Sequence, residues 1–182
     1  MSDKKGYRKL LNSEMERKSL EEFRDFRKIP LVVVLDNVRS LHNVGSVFRT
    51  CDAFLVEELI LCGITGQPPH AEIRKTALGA SESVKWSYFR DTKEAVSSLR
   101  EDSYILLAGE QTEHSICLSN FEPDLNRKYA LFLGNEVKGV QQEVLDNMDG
   151  VLEIPQEGTK HSLNISVSAG VFIWHFYRSF SG

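Results

Sequence analysis

Cysteine is scarce in this chain: Cys51, Cys62 and Cys117 are the three among 182 residues. Three scattered thiols with no histidines at ligand spacing support neither a disulfide framework nor a zinc site, so they read as reduced structural thiols and no metal is expected. No apolar run approaches the roughly twenty residues that a bilayer span needs. The opening MSDKKGYRKLL lacks the apolar core of a secretory signal. A cytoplasmic protein with no membrane partner is therefore expected. Nucleotide fingerprints are missing as well. Gly134 and Gly139 are spaced like the start of a P-loop, yet Val140 and Gln141 stand where Lys and Ser/Thr are required. No GxGxxG follows a strand, which removes the usual dinucleotide site. Internal repeats and low-complexity tracts are also lacking.

What is present fits one compact domain. A chain of 182 residues can bury roughly two-thirds of its unfolded surface. The net charge of −4 hides an uneven distribution: residues 1–28 hold nine Lys/Arg against six Asp/Glu, a net +3, leaving the remainder at −7. A charge run of this kind reads either as a solvated amphipathic helix or as an arm that contacts phosphates. We divide the chain into a basic helical extension, 1–28, and a domain, 29–182.

Beyond residue 28, short apolar runs alternate with longer periodic stretches, the pattern of an α/β fold with a parallel sheet flanked by helices. LVVVLD (31–36), ELILCG (58–63), YILLAG (104–109), YALFLG (129–134) and VLEIP (151–155) predict strands covered on both faces, with VKWSYF (84–89) a weaker sixth. Helices are predicted over 44–51, 73–80, 92–100 and 141–147. In the last stretch, 163–180, Ile165, Ala169, Phe172, Phe176 and Phe180 form one apolar stripe while Val167, Val171 and Trp174 lie elsewhere. A helix apolar nearly all round must be covered on more than one side, so part of it is expected to be a subunit interface.

Polar residues and glycines concentrate in three segments where strands end, the edge at which open α/β sheets bind ligands. In DNVRSLHNVGSVFR (36–49), Asn43 suits a helix N-cap, Gly45 permits a close approach, and Arg49 follows less than two turns later. FLGNEVKGV (132–140) runs from a buried strand into two glycines around Asn135 and Glu136. LEIPQEGTKHSLNISVSAG (152–170) stops its strand at Pro155 and can start a helix at Ser162 or Asn164. Each segment alone could be an ordinary turn or cap; jointly they outline a pocket.

NVGSVFR, FLGNEVKG and IPQEGTKHSLNISV resemble, in this order, the three motifs of the SpoU/TrmH-type RNA 2′-O-ribose methyltransferases of the SPOUT superfamily. The resemblance runs from about residue 31 to the end. It implies a parallel sheet whose C-terminal part is threaded into a deep trefoil knot, an exception to unknotted topology. It implies S-adenosyl-L-methionine as cofactor, with Gly134, Ile154 and Leu163 contacting it and Ala108, Gly109 and Glu110 near its adenosine or ribose. RNA, transfer or ribosomal, is the implied substrate, and a homodimer through the C-terminal helix the implied assembly. Gln156 and Ser168 depart from the apolar residues common at those positions. No separate RNA-binding domain is expected ahead of the core, which leaves target choice to the basic arm and the dimer surface.

The resemblance makes Arg49 catalytic. A guanidinium normally keeps its proton, so Arg49 is expected to stabilise charge and, with a phosphate, to activate the ribose hydroxyl rather than to act as base. Asn43 and Asn164 would orient Arg49 or the ribose, Glu136 would position, and Ser162 completes the polar set. His42 and His161 sit inside motifs but read as loop histidines with structural hydrogen bonds. Two other readings are a catalytically inactive RNA-binding module of the same fold and an enzyme that methylates a base nitrogen.

Overall fold

The computed structural model of the chain describes residues 6–11, 14–15 and 17–182. Residues 1–5, 12, 13 and 16 of the expected helical extension lie outside the described residues. Among the others of that segment, the α-helix is α1, Leu20–Asp25. Ser19 and Glu22 close a reciprocal capping box on α1, which satisfies two otherwise orphaned donors. Phe23 buries itself in the main core, and Arg24 donates to the carbonyl of Glu82 at 2.9 Å.

Seven parallel strands build the domain: β1 (Ile29–Asp36), β2 (Val56–Cys62), β3 (Trp86–Phe89), β4 (Tyr104–Gly109), β5 (Ile116–Cys117), β6 (Lys128–Leu133) and β7 (Gly150–Glu153). Their order across the sheet is β3-β2-β1-β6-β4-β7-β5. All six expected strands are present; β5, two residues long, had no sequence signal. The strands alternate faces with period two. Leu31, Val33 and Leu35 of β1 enter one apolar core, while Val32 and Val34 enter the other. A sheet covered on both faces explains why its central strands read as unbroken apolar runs.

The first core lies beneath α2 (Leu41–Ala53), α3 (Ala71–Ala77) and α7 (Ile165–Phe180); the second lies beneath α5 (Thr92–Glu101) and α6 (Gln142–Leu145). The single helix expected over 73–80 is broken. Leu78 adopts φ +50° and Gly79 φ +94°, and a separate turn, α4 (Ala80–Ser83), follows. The expected stripe on α7 is buried at Ile165, Ala169, Phe172 and Phe176, with Phe180 packed at the margin, whereas Val167, Val171 and Trp174 face outward. Among the described residues no helix is long and apolar enough to cross a membrane.

The sheet's order places β6 between β1 and β4, so the late-arriving strand β6 fills the centre. The C-terminal ends of β4, β6 and β7 lie side by side, and the loops leaving them converge on one edge. That edge is where crossovers diverge and where a crevice forms.

Candidate active site

Gly109, Leu133 and Glu153, the last residues of β4, β6 and β7, form the floor of a cleft of about 820 Å³. Its walls come from the loop 134–141, from 154–163, and from Ile165, Ser168 and Phe172 of α7. The volume lies within the few hundred to one thousand Å³ usual for small-molecule sites.

Loop 134–141 is a tight, self-bonded turn. Asn135 and Gly139 form an antiparallel bridge, the Asn135 amide donating to the Gly139 carbonyl at 3.2 Å and the return bond measuring 3.0 Å. Asn135 Oδ1 also accepts from the amides of Val137 (3.0 Å) and Lys138 (2.9 Å), the side-chain mimicry of a turn that asparagine favours. Gly134 must be glycine here, because a Cβ would overlap the backbone of Gly139 and Val140. Glu110 braces the loop from β4: its carboxylate accepts from the amides of Val140 at 3.1 Å and Gln111 at 3.0 Å.

Helix α2 approaches from β1. Ser40, rather than the expected Asn43, is its N-cap, accepting from the Asn43 amide at 3.3 Å. One turn inside the helix, the Asn43 side chain is therefore free to reach outward. Its Nδ2 donates to Glu136 Oε1 at 2.8 Å, and its Oδ1 accepts from Asn164 Nδ2 at 3.2 Å. Asn164 simultaneously caps α7, accepting from the Ser166 amide at 2.8 Å. Residues 93 and 121 positions from Asn43 thus meet in one hydrogen-bonded chain. Gly45 does permit a close approach, but to α3 of the same chain: a Cβ would strike Thr76 Oγ1 and the Ile73 carbonyl.

The other sequence-derived residues divide by position. Gly109, Glu110, Gly134, Glu136, Ile154, Ser162 and Leu163 line the cleft. Ala108 does not; it is fully buried in the second core, one residue before the floor. Asn43, Arg49 and Asn164 stand outside the cleft lining. Arg49 is exposed on α2 and makes no hydrogen bond or ion pair among the described residues. His161 lines the cleft, whereas His42 pairs with Glu72 at 2.6 Å on α3. Lys75 and then His42 pull the Glu72 carboxyl down to about 2. His42 therefore has a structural hydrogen bond as expected, but from the first turn of α2 rather than from a loop. Burial pushes the Cys62 thiol up to about 12 and raises Cys51 further, so both stay protonated and inert at neutral pH.

Sequence reading missed the apolar floor and wall, Leu133 and Phe172, which look like core, and the anchoring of Gln141 described below. It also missed the charge of the cleft. Glu110, Glu136, Glu143 and Glu153 line it against Lys138 as the one Lys or Arg. No group of three or more His, Cys, Asp or Glu among the described residues could hold a metal ion.

Comparison with known proteins bears directly on this arrangement. The model of the SpoU rRNA methylase family matches residues 30–174. Over 169 residues the chain is 34% identical to the tRNA (guanosine(18)-2′-O)-methyltransferase of Thermus thermophilus, spanning 91% of this chain and 84% of that enzyme. It is 30% identical over 151 residues to the 23S rRNA (guanosine-2′-O-)-methyltransferase RlmB of Vibrio parahaemolyticus, spanning 82% of this chain and 59% of that one. In three dimensions it matches the TrmH/SpoU tRNA modifying enzyme of A. aeolicus with a TM-score of 0.79 at 25% identity, over 89% of this chain and 81% of the other. The AdoMet-bound rRNA methyltransferase of Sinorhizobium meliloti shares the fold, with a TM-score of 0.77 at 24% identity over 86% of this chain and 59% of that one. The family match begins at the second residue of β1 and ends within α7, so it takes in every segment that builds the cleft: the chain belongs to the SpoU rRNA methylase family.

Proposed function

We infer that this protein is an S-adenosyl-L-methionine-dependent RNA methyltransferase that modifies a ribose 2′-hydroxyl of tRNA or rRNA. The observation that carries this reading is the hydrogen-bonded chain Glu136–Asn43–Asn164, which ties the start of α2, the helix that bears the exposed Arg49, to the lining of a ligand-sized cleft through Glu136. The cleft suits the cofactor chemically. Its acidic lining favours a ligand bearing sulfonium and ammonium charge, its turn 134–141 offers main-chain groups, and Leu133, Leu163 and Phe172 supply apolar surface for an adenine ring. When bound, S-adenosylmethionine supplies an electrophilic methyl group on a positively charged sulfur.

The chain's own residues then have distinct tasks. A ribose hydroxyl is a weak nucleophile until its proton leaves or its developing charge is stabilised. Arg49 presents a fork of donors that keeps its charge, suited to hold the adjoining phosphate and the forming oxyanion together. Asn43 and Asn164 fix the start of α2 and of α7 on either side of the reacting ribose, and Glu136 locks Asn43 in place. Ser162 offers a hydroxyl at the cleft mouth. Ala108 acts by packing behind Gly109 and Glu110 rather than by contact.

The same reading includes a deep trefoil knot, formed as the chain after β6 returns through the sheet edge to β7 and α7. It includes a homodimer, since Val167, Val171 and Trp174 leave an apolar face of α7 uncovered. It includes a cytoplasmic location and a basic leader, 1–28, that contacts RNA phosphates. Incubating the protein with isotopically labelled S-adenosylmethionine and separate tRNA and rRNA pools, followed by nuclease digestion and nucleoside mass spectrometry, tests the function. A labelled 2′-O-methylnucleoside is expected. A labelled base would favour the base-methylating alternative, and cofactor binding without transfer to any pool would favour the inactive RNA-binding module.

A further inference from the structure

Asp36 is fully buried at the C-terminal end of β1, yet the catalytic scheme gives it no task. Its carboxylate has four partners, all of them donors. Oδ1 accepts from Thr92 Oγ1 at 2.6 Å, Gln141 Nε2 at 2.9 Å and Asn37 Nδ2 at 2.9 Å. Oδ2 accepts from the Gln141 amide at 3.0 Å. No Lys, Arg or His forms an ion pair with it among the described residues. Burying an acceptor-only group without a cation is costly unless every lone pair finds a donor, and here the donors come from three separate elements.

Their places in the fold give the arrangement its meaning. Thr92 begins α5, Asn37 begins the connection to α2, and Gln141 ends the turn 134–141 and caps α6. Gln141 lines the cleft. The turn is thus held at three points: Glu110 grips it at Val140, Asp36 grips it twice at Gln141, and Asn43 meets it at Glu136. Asp36 is the only one of the three anchors that is wholly buried, so its geometry is the one water cannot relax.

We propose that Asp36 is a positioning residue for cofactor binding, fixing the cofactor-lining turn 134–141 on the sheet through its two hydrogen bonds to Gln141. The inference rests on the cofactor reading above. The isosteric substitution Asp36→Asn keeps one acceptor for the Gln141 amide but puts a donor where Thr92, Gln141 and Asn37 all donate, so those side chains must turn over and the turn loses its charged, doubly bonded anchor. Gln141→Glu in the same molecule restores complementarity with the roles exchanged, the side-chain amide at position 36 then donating to a carboxylate at position 141.

The test compares wild type, D36N and D36N/Q141E by calorimetric titration with S-adenosylmethionine, steady-state methylation and amide hydrogen exchange. For D36N, exchange across 135–141 is expected to quicken, and the Kd and KM for S-adenosylmethionine to rise at least tenfold, while kcat at saturating cofactor stays within about threefold. The double variant should recover cofactor affinity to within about threefold of wild type. An unchanged Kd in folded D36N overturns the proposal, whatever its thermal stability, and so does failure of the double variant to recover. If the wild-type protein shows no affinity for S-adenosylmethionine, the cofactor reading falls by itself. Exchange at 135–141 then decides whether Asp36 holds the turn, and wild-type exchange rates in D36N would overturn it.

Discussion

Asn43 shows how a side chain released from one structural duty takes up another. The sequence pattern suggests a cap, since asparagine before an apolar periodic run commonly plays that part. Ser40 takes the cap instead, and Asn43 spends its amide on Glu136 and Asn164. Arg49, less than two turns along the same helix, is exposed and has no hydrogen bond or ion pair among the described residues. Removing the guanidinium should cost what removing a transition-state charge stabiliser costs in other enzymes, about 10²–10³ in kcat. Arg49→Ala is therefore expected to lose methyl transfer by at least 100-fold while S-adenosylmethionine affinity stays within about threefold, because Arg49 stands outside the cleft lining. Parallel calorimetry and single-turnover assays check this, and undiminished transfer would remove Arg49 from the mechanism. At this scale the residues that meet, Asn43, Glu136 and Asn164, could be read from the sequence as candidates because they lie in three dense polar motifs, as do Arg49 and Ser162, of which Ser162 lines the cleft and Arg49 does not. Asp36 and Gln141 could not be read in the same way. A lone aspartate at a strand end signals nothing until the donors that surround it, one of them 105 residues away, are in place.

Helices and strands were more legible in type than in extent. Unbroken apolar runs identified the central strands because both faces are covered, and the same runs gave no hint of their order. The break between α3 and α4 escaped the periodicity because Leu78 is an ordinary helix former that here adopts a left-handed conformation ahead of Gly79. Helix α2 carries Asn43 and Arg49, and its distance from α3 is set by Gly45, where a methyl group would meet both a side-chain hydroxyl and a backbone carbonyl. A backbone oxygen cannot rotate away, so Gly45→Ala must push the helices apart. Overpacking of this kind costs roughly 1–3 kcal/mol. At about 2–4 °C per kcal/mol for a chain of this size, scanning calorimetry should record a fall in Tm of several degrees. The displacement moves Asn43 and Arg49 together, so turnover should fall as well; a Tm equal to that of wild type would show that the interface has slack.

For the molecule as a whole, α7 faces in two directions. One side, Ile165, Ala169, Phe172 and Phe176, completes the core, while Trp174, 51% exposed, stacks edge-on against Phe54 at 5.4 Å beside Val167 and Val171. That outward strip is the proposed dimer face, and Val171→Asp should convert the protein to a monomer in sedimentation equilibrium with its far-UV circular dichroism retained. A monomeric wild type, or a dimeric variant, would place the interface elsewhere. The strand order was the least legible feature in the sequence, since it depends on contacts between residues far apart. The position of β6 has a consequence for how such a molecule comes into being. Because β6 lies between β1 and β4, the sheet has a vacant central lane until residue 133 has been synthesised; before then β1 is paired on the β2 side alone and β4 has neither of its neighbours, β6 and β7. Long-range parallel pairing of this kind slows folding. A nascent chain therefore spends most of its translation with apolar strand edges exposed, and its yield in the cell is set by what shields those edges as much as by the stability of the finished fold.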